Sequence, residues 1–584
     1  MIIDELGFRH SPGGTAMSKL LRLAIALIPT FAFIAFAGVY LGRKWHDVPA
    51  AGASGRGKLV VVAAFDQLRG DYPTRWAKLL GPGGFQRIER DGVSYRNAHW
   101  PYSCTATGPG HATIGTGTTP DEHGIIENEW RDSASGTRLY CSAPKKKTLR
   151  IPGDDEASFS PERLLVPGLG DRLKSNRKQA NVFSIALKDR AAVMMGGQHP
   201  NGAYCFDSRN GEFHTSSWYV DRAPNWVEQF NDANKADAWF DRRWERLGTA
   251  ADYDAAVGPD DAPGETKFDR DDKTGSPIGY GRVFPHAMNI DDQPYPNKRY
   301  YERLESSPFG NDLLWQFAEA CIRGEQLGRR GEVDLLFLGF SANDLIGHKW
   351  GPDSHEVLDA TLRTDKLLER MIADLDASLG AGNYTLFVTA DHGICPLPER
   401  EFAKNSEAER FDWRSEVDPA AMGEYLDEKF GALSANPKAW FLLDPKGQGF
   451  FPHVYLNRTA IEAHGAKVDD VAVTLAKWLA NRPHLTRVFT AKELSGAPST
   501  DPCLRRCQLG FHPERTGDVY CVTKPYCLGQ GVAALGTSHG TPHDYDTHVP
   551  LMAFGSGIAA EGPKDDRIDA TKLGAMIRDV LGLP

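Results

Sequence analysis

Acidic and imidazole side chains recur in four distant parts of this 584-residue chain, in pairings that suit divalent metal ions. Asp344 and His348 are four residues apart, so one helical turn puts both on the same side. Asp391 and His392 are adjacent and diverge in an extended chain, so each can face a different ion. Asp66 follows an apolar run, and near the far end of the chain either His539 or His548 can complete a set. Mixed carboxylate and imidazole donors suit zinc, with manganese as the other option. Two such ions about 4 Å apart clamp the attacking and leaving oxygens of an in-line displacement at phosphorus.

Thr107 offers the attacking oxygen, in the run Cys104-Thr105-Ala106-Thr107-Gly108-Pro109-Gly110-His111. Pro109 and the small, Thr-rich segment Ala112 to Gly117 predict a helix that starts near Thr107. Free backbone N–H groups and the helix dipole there favour both a bound phosphate and an alkoxide. A Thr in that position is also an ordinary helix cap, and a lone Asp after a strand is an ordinary turn residue. The argument for a site is their coincidence.

The elements that must position these residues follow an α/β pattern. Leu59 to Phe65, Asn181 to Ala186, Val333 to Phe340 and Tyr384 to Thr389 are short apolar runs of the kind that form buried parallel strands. Ser354 to Leu379 reads as a helix with one apolar side and Gly380 as its stop. This alternation predicts a mainly parallel central sheet sandwiched by helices. In such sheets ligands bind at the carboxyl ends of the strands, where Asp66, Asp344 and Asp391 fall. Two stretches break the pattern, about 200–310 and about 400–530. Both are expected to be cap insertions, the second with a strand-like Gly449 to Leu456, a helix Val468 to Leu479 and a Cys cluster.

A composition of 41% hydrophobic and 25% charged residues is globular, and a net charge of −10 gives no basic surface for nucleic acid. Leu23 to Leu41 is apolar between basic residues, so residues 17–45 are expected to be an export signal or membrane anchor and 56–584 the catalytic domain. The protein is then exported, periplasmic or anchored facing that compartment. In that setting Cys503, Cys507, Cys521 and Cys527 are expected to form two local disulfides, a structural zinc site being the rival.

With these residues assembled, the chain resembles the alkaline phosphatase superfamily. It is most similar to the type I phosphodiesterase/nucleotide pyrophosphatase-like branch and, within it, to PafA-type alkaline phosphatases with a Thr nucleophile. The resemblance runs from Leu59 to Phe554 and rests on Phe65-Asp66 to Tyr72, Thr107 to His111, Thr119 to Ile125, Asp344 to Pro352, Ala390 to Gly393 and His539-Gly540. It implies two zinc ions, one on Asp66, Thr107, Asp391 and His392, the other on Asp344, His348 and His539. His539 is preferred to His548 because the family's last ligand precedes Gly. The resemblance also implies that Asn128, Lys188 and Arg190 contact phosphoryl oxygens, and it leaves His111 and His123 structural. Sulfatases are disfavoured, since no Cys or Ser stands at Thr107 and no Arg follows at the required place.

The expected activity is hydrolysis of small-molecule phosphate monoesters through a phospho-threonine. A phosphodiesterase on the same scaffold is the alternative, kept open by the aromatic residues Trp218, Tyr219 and Trp226.

Overall fold

The structure, a computed structural model, describes residues 59–153, 158–266, 280–289, 294–530 and 534–584. One compact unit spans Arg56–Pro584. The apolar stretch Leu23 to Leu41 lies outside the described residues, among which no helix is long and apolar enough to cross a membrane.

Eleven strands form the central sheet. In chain order they are β1 (Leu59–Phe65), β2 (Val93–His99), β3 (Arg150–Ile151), β4 (Val182–Ala186), β5 (Gly202–Asp207), β6 (Glu212–Ser216), β7 (Asp334–Phe340), β8 (Tyr384–Thr389), β9 (His548–Gly555), β10 (Gly562–Lys564) and β11 (Ile568–Asp569). Their order across the sheet is β10-β2-β9-β8-β1-β7-β4-β5-β6-β3, with β11 also pairing β2. The core, β8-β1-β7-β4-β5, is parallel. Every residue of β1, β4, β7 and β8 is buried, which is why their sequences are continuous apolar runs rather than alternating ones. The sheet is mixed at its flanks: β9 is antiparallel to both β8 and β2, and β6 is antiparallel to β5.

The register explains where the site forms. Ala64 of β1 lies opposite Gly339 of β7 and Thr389 of β8, and Gly339 lies opposite Ala186 of β4. These strands therefore end level, and Asp66, Ser341, Ala390 and Leu187 emerge along one edge. Because β9 runs the other way, it begins at that edge, and the segment from His539 to Thr547 arrives there from the opposite end of the chain.

The helices that matter are α1 (Thr107–Thr116), α2 (Asp189–Gly196), α3 (Pro308–Gly324), α4 (Ala342–Trp350), α5 (His355–Leu379) and α6 (Lys572–Leu581). α5 matches its expected span; the Ser354 hydroxyl accepts from the Val357 N–H, and Gly380 ends it at φ 86°. Every residue of α1 is buried, and it packs closely on α2: a Cβ on Gly115 would stand 2.4 Å from the Met194 carbonyl oxygen.

The two irregular stretches differ from expectation. The first opens with β5 and β6 of the main sheet, and its aromatic residues join the main core: Trp244 donates to Asp359 at 2.6 Å, and Trp226 packs on Phe317. The second has a core of its own, including Met422, Leu426, Trp440, Leu475 and Val519. Its helix Val468–Leu479 is as expected, but the strand-like Gly449 to Leu456 shrinks to His453–Val454. Pro452 supplies no N–H to a sheet ladder, so pairing starts only after it.

All nine cysteines are free, so the expected disulfides are absent. Cys507 lies in an apolar cluster with Phe489 and Tyr520, Cys521 lies in the second core, and Cys527 pairs as part of a short strand with Glu409–Arg410. Cys503 packs against the same cluster as Cys507, whereas Cys521 and Cys527 lie in other layers.

Candidate active site

The sheet edge brings together the residues of the two expected sets. Donor atoms of Asp344, His392 and His539 lie within 4.8 Å of one another, as do those of Asp66, His111 and Asp391, so His392 also reaches the second set and His111 the first. In the first set, His392 Nε2 lies 3.5 Å from Asp66 Oδ1 and 3.2 Å from Asp391 Oδ2. In the other, His348 Nε2 and His539 Nε2 lie 3.2 and 3.5 Å from Asp344 Oδ1. Donor atoms about 2.0–2.2 Å from a tetrahedral ion stand roughly 3.3–3.6 Å apart, so both sets have the spacing of a metal site. Asp66 Oδ1, Asp391 Oδ2 and His392 Nε2 are buried with no hydrogen-bond partner, which is costly unless something else satisfies them. The two sets adjoin, for the His392 and His539 rings stack at 3.5 Å.

The histidines are oriented for ligation. His348 Nδ1 is hydrogen-bonded to the Thr537 carbonyl at 2.8 Å, His392 Nδ1 to the Gly393 carbonyl at 2.9 Å and His539 Nδ1 to the Thr105 carbonyl at 2.7 Å. A carbonyl only accepts, so each Nδ1 carries the proton and each Nε2 lone pair faces the carboxylates. His548 differs: its Nε2 is bonded to the Arg96 carbonyl at 2.8 Å and its ring stacks on His99. It stands apart from both sets.

Three buried carboxylates at one edge repel one another. Burial, then the charges of Asp344 and Asp391, push Asp66 above the usual carboxylate range. Burial also works against charge on Asp344, but His348 and Lys188 hold it well below that range. Lys188 Nζ donates to Asp66 Oδ2 at 2.8 Å and to Asp344 Oδ2. It thus stands between the two sets. Gln67, at φ 67°, donates its backbone N–H to Asp391 and its Nε2 to Asp344 at 2.6 Å. Nothing in the spacing of the sequence marks Gln67 for this role; only its place after Asp66 hints at it.

Lys188 and Arg190 lie just past the end of β4. β4 ends at Ala186, Lys188 is the extended residue before α2, and Arg190 lies in the first turn of that helix. Arg190 Nη1 donates to the Tyr140 hydroxyl at 3.4 Å, and that hydroxyl donates to Asp189 at 2.7 Å. Tyr140, unsuspected from sequence, therefore orients Arg190.

Thr107 is the first residue of α1 and is buried; the residue before it, Ala106, is extended, so Thr107 is not spent as a side-chain cap. The neighbouring amide, Gly108 N–H, donates to Asn128 Oδ1 at 2.7 Å. This bond brings Asn128 beside Thr107. His111 Nδ1 bonds to the Thr107 carbonyl at 2.9 Å and lies 3.2 Å from Asp391 Oδ2, tying α1 to the end of β8. His123, bonded to Thr113 and to the Ile125 N–H, is structural.

A cleft of about 400 Å³ opens beside Asn128, His348 and His539. Its outer wall comes from the second irregular stretch, through Phe450, Phe451 and Tyr520. Trp218, Tyr219 and Trp226 do not line it. Trp218 donates to the Gln198 carbonyl, Tyr219 packs on Phe159, and Trp226 donates to Glu325. The aromatic residues expected to favour a diester are therefore used in packing elsewhere.

The type I phosphodiesterase / nucleotide pyrophosphatase family matches residues 60–528 of the chain. Alkaline phosphatase PhoV of Synechococcus elongatus is 31% identical over 510 residues, covering 86% of each chain. Alkaline phosphatase PafA of Elizabethkingia meningoseptica is 30% identical over 533 residues, covering 89% of this chain and 90% of the relative. A crystal structure of wild-type PafA superposes with a TM-score of 0.78 at 29% identity, covering 91% of this chain and 97% of the other. A second PafA structure carries replacements of a Thr, an Asn, a Lys and an Arg.

Proposed function

The chain belongs to the type I phosphodiesterase / nucleotide pyrophosphatase family and is a phosphoric ester hydrolase, and we propose that it is a phosphomonoesterase using a Thr107 nucleophile and two zinc ions. Asp66, Thr107, Asp391 and His392 would hold one ion and Asp344, His348 and His539 the other. When bound, the ions supply positive charge for the attacking and leaving oxygens.

The chain's own groups do the rest. Thr107 Oγ attacks phosphorus, the alcohol departs, and water then hydrolyses the phospho-threonine. The α1 N-terminus and the Asn128 amide place donors beside that oxygen. Lys188 and Arg190 face the charge that spreads over the nonbridging oxygens. Thr107, Asn128, Lys188 and Arg190 repeat, in the same order, the four residue types replaced in the PafA variant.

The observation that carries the monoester reading is the position of Lys188 between the two ligand sets, where the phosphoryl group of a two-ion reaction lies, with Arg190 two residues on. A monoester brings a dianion with three nonbridging oxygens; a diester has one of them esterified. Lys188→Ala with Arg190→Ala should lower kcat/KM for an aryl phosphate roughly 100-fold more than for the matched aryl phosphodiester. Bound zinc, about two per chain in the wild type, is measured in both proteins. Equal losses on the two substrates would reduce the pair to a structural role, and a wild type that prefers the diester would replace this reading. The protein is taken to act outside the cytoplasm, with residues 17–45 as export signal or membrane anchor, 56–584 as the catalytic domain and 400–530 as its cap.

A further inference from the structure

This inference rests on the phosphomonoesterase reading and concerns the alcohol that leaves. In an in-line displacement the leaving oxygen lies opposite the nucleophile. Thr107 belongs with Asp66, Asp391 and His392, so the alcohol departs on the side of Asp344, His348 and His539. The cleft on that side is also lined by Glu127, Phe450 and Tyr520.

Glu127 is the anomaly. Its carboxylate accepts the Asn128 backbone N–H but has no ion-pair partner among the described residues, whereas Glu129, two residues on and in the same cleft, is paired with Arg138. Burial pushes Glu127 up to about 7, opposed in part by His539. Glu127 shares the cleft lining with Phe450, Phe451 and Tyr520, and its charge adds to the effect of burial on the phenols of Tyr455 and Tyr520. An unpaired acid beside a site for a phosphate dianion repels the substrate. The sign of that interaction reverses when the alcohol portion carries a positive charge. A carboxylate among aromatic faces is the surrounding that holds an ammonium group.

We propose that this cleft selects phosphate monoesters whose alcohol carries an ammonium group, with Glu127 as the specificity-determining residue and Phe450 and Tyr520 as its walls. The test compares kcat/KM for choline phosphate and for 3,3-dimethylbutyl phosphate, which has carbon in place of nitrogen, in full-length wild type and in Glu127→Gln. Phenyl phosphate serves as the reference substrate. The wild type should prefer the ammonium ester by about tenfold or more, and Glu127→Gln should bring the ratio toward unity. Phenyl phosphate turnover with no preference between the two alkyl esters overturns the inference and leaves the phosphatase reading standing. A preference that survives in Glu127→Gln overturns it too, as does loss of bound zinc in that variant, which would assign the carboxylate to the ions. No turnover of phenyl phosphate overturns both readings.

Discussion

His348, His392 and His539, the candidate ligands, each spend one ring nitrogen on a backbone carbonyl and keep the other for the carboxylate side. The imidazoles are therefore fixed in tautomer and direction before any ion arrives. Thr107 is prepared in the same sense, being buried at a helix start without serving as its cap. Thr107→Ala should lower turnover by roughly 10³-fold or more, while Thr107→Ser, which keeps the hydroxyl, should retain a substantial part. Trapping the labelled phospho-enzyme in acid and mapping the label checks the residue; label on Thr105 would refute the assignment. The candidate residue types stood out in sequence because Asp and His recur together after several apolar runs, although each alone is an ordinary turn residue. Gln67, Tyr140 and Glu127 did not stand out. Their roles depend on partners far along the chain, such as Asp344 for Gln67, and on a backbone at positive φ that no local pattern announces.

At the scale of elements, α1 must approach the end of β8 closely enough for His111 to reach Asp391. Gly110 allows this: a Cβ there would stand 2.5 Å from both the Cβ and the carbonyl oxygen of Asp391. Gly110→Ala should destabilise the protein by about 2–3 kcal/mol in urea unfolding and lower its zinc content, because the displaced backbone carries a ligand. An unaltered midpoint and full zinc would show that helix and strand can separate freely. β1, β7, β8 and α5 were legible because strands buried on both faces are uninterrupted apolar runs and a long amphipathic helix has a clear period. The cap was misread for a physical reason. Aromatic residues in an irregular stretch look alike whether they line a cleft or fill a core. Trp226 and Trp244 fill the core, while Phe450 and Tyr520 reach the cleft through a substructure whose short strands carry little pattern.

The molecule as a whole should be sensitive to acid. Burial holds the imidazole of His123 down to about 3, and its Nδ1 accepts the Ile125 N–H, a bond that protonation would remove. A folded-state value below the unfolded one means that the unfolded chain binds the extra proton first. Stability is full above about 6.5 and is lost as pH falls from there toward 3. Between pH 7 and pH 5 this residue alone should remove about 2 kcal/mol. Urea midpoints at the two pH values should show the drop, and His123→Gln should make the dependence shallower; an equal slope in the variant would assign the effect to other groups.

The reversed direction of β9 has a consequence for the protein's synthesis. That strand is inserted between β8 and β2, and the residues just before it bring His539 to Asp344. Until the segment from His539 through β9 has been made, the sheet is open in its interior and the proposed second set lacks a member. A nascent or prematurely terminated chain can hold Asp66, Asp391 and His392 and still be unable to complete the second set. The fold thus makes the proposed second set depend on a segment far along the chain from Asp344, and copies shortened before His539 are expected to be inactive without any dedicated checkpoint.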